Sequence, residues 1–422
     1  MAIELSTIIF TDQDDIVPQS GEDEVVNSGI ANTLAGNDII TGTGNVGIEN
    51  VGVLNTEDGN DTITGIALTY GIYTRYNSTF DTGKGNDVIT GISKFSGFLN
   101  VGTFSTGEGD DIITGTGGKG IESAAAINTD DGNDTITGTG IFYGILMDGF
   151  DSPLDTGKGD DIITGTGGNA GIQNNFGNTL NTDDGNDIIT GIGDERGISN
   201  NGTINTGNGE DSIISQGNFV NYYNEFIENS GVFLGDGNDS ITVINTDNTG
   251  FPSRVFENFG MIDAGDGNDL ITSTGVIYNE GVINTGNGDD SIIVDEGVDG
   301  STTGYGIYNN GGAINMGDGN DSIIANEGFE SGLNSSGAWF LGEDDDYLKG
   351  FGNGDFYGGN GNDTLELTSG TYTIRIWGEG GESPIFTKGN QLMITSEFEK
   401  LIAGGTIYDF TSLTAGQIIV VA

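Results

Sequence analysis

The stretch Asp81-Thr82-Gly83-Lys84-Gly85-Asn86-Asp87-Val88-Ile89-Thr90-Gly91 decides how the whole chain is read. Close copies recur along almost all of it. Each has a glycine-rich lead, then Asn, Asp or Glu followed by Asp, then a spacer and an aliphatic residue. The terminal Asp falls at Asp38, Asp61, Asp87, Asp111, Asp134, Asp161, Asp187, Asp211, Asp239, Asp269, Asp290, Asp321, Asp346 and Asp363. All but the last step run from 21 to 31 residues, and a weaker opening copy ends at Asp15. A period of that size predicts stacked coils rather than a globular core.

Working outward, each acidic turn is preceded by a second half-unit that reads aliphatic, Asn, spacer, Gly, aliphatic. Val26-Asn27-Ser28-Gly29-Ile30, Ile48-Glu49-Asn50-Val51-Gly52 and Ile307-Tyr308-Asn309-Asn310-Gly311 are examples, and Asn-x-Gly recurs at Asn100, Asn175, Asn200, Asn229, Asn258 and Asn279. Short strands with inward aliphatic residues and Gly-rich corners follow from this pattern. One coil cannot bury its apolar face alone, whereas stacked coils share a continuous core. The fold class expected is all-β: a right-handed parallel β-helix of about 14 coils near 25 residues each, with a C-terminal β cap. The Asn column has two open readings, an internal amide ladder that fixes register or surface turn residues tolerant of left-handed backbone.

Organisation along the chain follows the repeat. Residues 1–20 are expected to cap the first coil and 21–340 to form the long-coil solenoid. Residues 341–370 form a nonapeptide segment in which Asp346, Asp355 and Asp363 crowd together. Residues 371–422 are expected to be a C-terminal β cap, with alternating strands at Thr371–Trp377 and Gln391–Thr395.

Composition narrows the function. The 422 residues hold 78 glycines, no cysteine and no histidine, and 64 acids against 11 bases give a formal net charge of −53. Such a chain repels nucleic acid and anionic membrane surfaces, whose phosphates demand Lys and Arg. No apolar run is long enough to cross a bilayer, and no N-terminal signal peptide is visible in residues 1–20. Halophilic solvation would scatter acids over every surface, but here most sit at one phase of the repeat. That phase-locking points to bound cations.

Calcium takes six to eight oxygen ligands in flexible geometry, and the turn offers both carboxylates and backbone carbonyls. Without His or Cys the site is all oxygen, which disfavours zinc and copper. Magnesium suits it less, because it demands strict octahedral geometry. The metal ligands expected are the fourteen terminal aspartates named above together with Asp355. A plainer reading makes the same residues turn formers that bond nearby amides.

The turn resembles the repeat-in-toxin (hemolysin-type) calcium-binding repeat, Gly-Gly-x-Gly-x-Asp-x-aliphatic-x. Residues 358–366 match it fully and the other thirteen copies match mainly from the second glycine or its substitute onward. The chain is similar in particular to secreted glycine-rich calcium-binding proteins of cyanobacteria. The resemblance implies calcium-driven folding and type I export through an uncleaved C-terminal signal, with Ile418–Val421 as its aliphatic tail. It departs from the family in spacing: coils near 25 residues carry one acidic turn, so ions should line one edge rather than two.

The function expected is a secreted calcium-binding solenoid with a structural role at the cell surface or in the extracellular matrix, and no enzymatic activity. Its partners would be calcium ions, further copies of the chain in filaments or layers, and cell-surface polysaccharide. Two alternatives stand beside it. A polysaccharide-acting β-helix enzyme would need a base and a cation clamp in a groove, and the best irregular region is Asn221–Glu225. An adhesin or ice-binding surface would need a flat Thr array. Thr does recur after Ile at 41, 64, 90, 114, 137, 164 and 190.

Overall fold

A computed structural model describes residues 2–18, 23–222, 231–245, 254–294, 305–331, 337–377 and 383–422. Asn229 and residues 223–225, both singled out above, lie outside them. The described residues form a parallel β-solenoid of about 12 turns and contain no α-helix. They fall into two compact units, the described residues up to Gly217 and those from Asn218 onward. The count is slightly lower than the fourteen coils expected, and the last coils are the irregular ones. Asp346 begins a coil that reaches Asp363 in 17 residues. Asp363 leads through Thr364–Leu367 into antiparallel strands.

In the first unit a coil is a long strand followed by a short one, such as Ile39–Asn50 with Val53–Asn55 and Thr62–Thr74 with Thr79–Asp81. Register slips in the long strand between Gly44 and Val46, so it consists of two straight pieces. A Cβ on Gly42 would sit 2.0 Å from the Gly47 carbonyl oxygen, so only glycine lets these two pieces close on each other. Each of the three pieces sends one apolar residue inward. Ile40, Ile63, Ile89 and Ile113 form one column, Ile48, Ile72, Phe98 and Ile121 a second, and Leu54, Phe80, Phe104 and Ile127 a third. All are fully or almost fully buried. Burial of each such side chain contributes roughly 1.5–3 kcal/mol relative to exposure.

The second unit repeats the scheme, and in its third column Ile262, Ile283, Ile314, Trp339 and Phe356 succeed one another. Beyond Asp363 the ladder turns back on itself. Gly370–Trp377 lies antiparallel to Ser383–Lys388 and to Ile418–Val421, and Lys400–Ala403 lies antiparallel to Thr406–Asp409. Gln391–Ser396 and Lys400–Ala403 still extend the stack in parallel, on Gly354–Asn360 and Thr364–Leu367.

The Asn column is internal. Asn221, Asn258, Asn279 and Asn309 are fully buried, and each Nδ2 donates to the next Oδ1 at 2.8–2.9 Å. In the first unit the same bond joins Asn27 to Asn50 and Asn174 to Asn200, while Thr74, Ser123 and Met147 interrupt the column. The triplet at Asn175 misleads by one residue. Asn174 is the rung, and Asn175 sits at the surface bonded to Asp148.

Candidate metal centre

The acidic turn is built by residues two and four places before its Asp. Gly83 and Gly85 have φ of +91° and +136°, and a Cβ on Gly85 would lie 1.9 Å from the Gly59 carbonyl oxygen of the coil before. The earlier of the two places also accepts side chains. Leu34, Glu57, Asp130 and Asp183 hold φ between 53° and 70° there. Asn32, Asn55 and Asn128 relieve that cost at three of them, each accepting the N–H of the residue two places on at 2.9–3.1 Å.

Two side-chain ladders then run through the turns in opposite senses. The N–H of each terminal Asp donates forward to Oδ1 of the Asp in the next coil. In the first unit this joins Asp15, Asp38, Asp61, Asp87, Asp111, Asp134, Asp161, Asp187 and Asp211 at 2.7–2.8 Å. In the second it joins Asp239, Asp269, Asp290, Asp321, Asp346 and Asp363 at 2.8–2.9 Å. The residue before each Asp donates backward instead, as from Asn60 to Asn37, Asn86 to Asn60 and Asn268 to Asn238, all at 2.8 Å.

All fourteen expected turn ligands therefore fall in the forward ladder, eight in the column of the first unit and six in that of the second. Asp355 does not. It lies half-buried within the strand Gly354–Asn360, in register with Ala338 and Ile394. Two further rungs extend these columns, one at the weaker opening copy that ends at Asp15 and one hidden from motif reading. Asp15 opens the first ladder with its own Oδ2 accepting the Thr11 N–H at 2.8 Å, and Glu399 closes the second by accepting the Asp363 N–H at 2.7 Å. Glu399 carries no glycine-rich lead, so only its place beyond Asp363 in the stack marks it.

The second carboxylate oxygen is the anomaly. The fourteen turn aspartates from Asp38 to Asp363 are at most 2% exposed. Oδ2 of Asp38, Asp61, Asp87, Asp111, Asp134, Asp161 and Asp187, and of Asp269, Asp290, Asp321, Asp346 and Asp363, is buried with no hydrogen-bond partner among the described residues. None of these twelve enters an ion pair with a described Lys or Arg. Burial pushes Asp87, Asp161 and Asp346 up to about 8, and neighbouring carboxylates add to the rise. Asp111, Asp187, Asp269 and Asp321 reach about 7 for the same reasons. The Thr82 hydroxyl beside Asp87 tempers its shift, but the proton of that hydroxyl goes to the Thr106 carbonyl at 3.1 Å.

A buried charge without a partner is costly, and the group must be neutralised by a proton or a cation. The donors are all oxygen, which suits a hard cation. No group of three or more acidic side chains converges as a cage among the described residues. One carboxylate oxygen per rung is what the side chains offer.

No protein-family model matches the sequence, and no curated protein matches it. Among solved structures the chain is similar to a hyperactive, Ca2+-dependent, β-helical antifreeze protein from an Antarctic bacterium. The identity is 18%, the TM-score 0.40, and the match covers 95% of this chain and 94% of that one. A likeness at that level says nothing about which residues here bind an ion.

Proposed function

We propose that this protein is a secreted calcium-binding β-solenoid with a structural, non-enzymatic role at the cell surface or in the extracellular matrix. The supporting observation is the series of buried Asp Oδ2 atoms with no geometric hydrogen-bond partner and no basic side chain paired to them among the described residues; neighbouring Thr hydroxyls such as Thr106 and Thr156 temper but do not cancel their charge. Calcium would compensate their charge, and the stacked turn carbonyls would complete a shell that the single carboxylates leave open. Binding then couples to folding, because the ladder exists only when coils are stacked. The test is a calcium titration of chelated protein followed by circular dichroism and thermal melting. A cooperative gain of β signal with a rise in melting temperature is expected. A spectrum and melt indifferent to calcium would sink the proposal and leave the aspartates as protonated turn formers.

A second reading rests on the outer face of the first unit. Thr41, Thr64, Thr90, Thr114, Thr137, Thr164 and Thr190 stand in one register column, half-exposed. The columns on either side, from Ile39 to Ile188 and from Thr43 to Ile192, hold only Thr, Ile and Val. A chain of net −53 thus keeps these outward columns free of charge. A repeat of about 4.8 Å between coils makes the face a regular array of methyl and hydroxyl groups. Such an array fits an ordered flat surface, and ice is the simplest. Thermal hysteresis abolished by Thr114→Lys would support that reading, and no hysteresis in the calcium-loaded protein would end it.

A further inference from the structure

In the second unit a cleft of about 370 Å³ opens over a pair of exposed rings. Phe340 and Tyr357 stack at 5.1 Å between centroids and 20° between planes, with 42% and 37% of their surfaces exposed. The three preceding coils place Asp263, Asn284 and Asn315 in this column. The rings are not needed by the core, since their chain neighbours Trp339 and Phe356 already fill it. The chain therefore exchanges a polar column for an aromatic platform over two coils.

Around the platform stand Asp318, Glu343 and Glu397, and among the described residues no basic one lines the cleft. Asn360 donates to Glu343 Oε1 at 2.7 Å and holds it beside the rings. Glu397 reaches the rim from a left-handed bend, φ 62°. These acids do not converge tightly enough to hold a metal ion. They do suit a larger cation whose carbon skeleton lies on the rings while its ammonium groups meet the carboxylates.

We propose that the cleft over Phe340 and Tyr357 binds a primary ammonium carried on a carbon skeleton, either an amino-sugar unit of a glycan or a free polyamine. The ring faces attract the cation, and the carboxylates accept its N–H groups. A neutral sugar lacks that pairing.

Calorimetric titration of the full chain in saturating calcium and physiological salt tests the proposal. Its probes are a glucosamine tetramer, the fully N-acetylated tetramer and spermidine. Saturable binding of the glucosamine tetramer is expected, with the acetylated form about tenfold weaker or worse. Spermidine binding equally well at the same cleft would support the ammonium chemistry and name the free polyamine as its source; weaker spermidine binding would name the glycan. Phe340→Ala/Tyr357→Ala leaves the charge untouched and should weaken binding about tenfold. Glu343→Gln/Glu397→Gln keeps the rings and should weaken it as well, so one misfolded variant cannot decide the matter. Binding unchanged in both variants would reveal diffuse attraction to an acidic surface and overturn the site. Equal binding of the acetylated tetramer, or no saturable binding of either ammonium probe, would overturn it too. Calcium-induced folding is read separately by circular dichroism, so its failure is distinguishable from failure of the cleft.

Discussion

The backbone N–H of Asp61 donates to Oδ1 of Asp87 at 2.7 Å, although 26 residues separate them. Oδ2 of the same Asp87 is buried and meets no donor. One oxygen thus holds two coils in register while the other is left for a proton or a cation.

Asp87→Asn separates these roles. The amide keeps the acceptor for Asp61 and removes the charge. In chelator its melting temperature should equal or exceed that of the parent. In calcium it should gain less than the parent. Asp87→Ala loses the acceptor too, and should cost about 1–3 kcal/mol in both conditions. Equal calcium gains for Asp87→Asn and the parent, in paired melts, would count against an ion at this rung.

Protonation gives a second test. Asp87, Asp161 and Asp346 titrate near 8 in the folded chain, far above the ordinary 3.8. The folded state therefore binds protons more tightly than the unfolded one. Their contribution to stability is complete below the unfolded value and is lost as pH rises through the folded one. Chelated protein should melt progressively lower from about pH 4 to pH 8. Calcium should flatten that fall, because the cation replaces the proton. A melting temperature in chelator that rises over this window would refute the assignment.

The turn glycines are not equivalent. Gly85→Ala would force a Cβ to 1.9 Å from the Gly59 carbonyl oxygen and should cost about 2 kcal/mol or more. Gly83→Asp would meet the Glu57 carbonyl oxygen at 1.8 Å as the backbone stands, but Asp130 and Asp183 hold the same place at φ of 57° and 53°, so a relaxation of φ from 91° toward theirs should make it the less costly of the two. Denaturant unfolding of the two variants side by side checks the order.

Asn258 donates to Asn279 Oδ1 at 2.8 Å and to the Val282 carbonyl at 3.0 Å, and accepts from Asn221 at 2.9 Å. Asn258→Leu strands all three groups in the core and should cost about 2–4 kcal/mol. Urea denaturation within ~0.5 kcal/mol of the parent would show that the ladder adds little.

Much of this was legible in the chain. The acidic turn needs glycine where stacked carbonyls approach, so its spacing reports the stacking directly. Ile40, Ile63 and Ile89 share a phase because strands alternate and coils repeat. The placement of Asn175 outside and Asn174 inside was not legible, because Asn-Asn pairs look alike until register chooses one. Asp355 and Asp363 are both acidic and eight residues apart, yet one lies in a strand and the other in the turn column.

The sequence by itself determined that coils stack and which Asp recurs, since both are periodic properties of the chain. Only the tertiary structure decided which oxygen of each Asp is spent. Oδ1 is consumed by the amide of the preceding coil and Oδ2 is left buried without a hydrogen-bond partner, because stacking brings that amide to one oxygen alone. It also decided that Glu399 completes the second ladder and that Phe340 and Tyr357 form one platform. Each of those relationships joins residues that become neighbours only when one coil is laid on another.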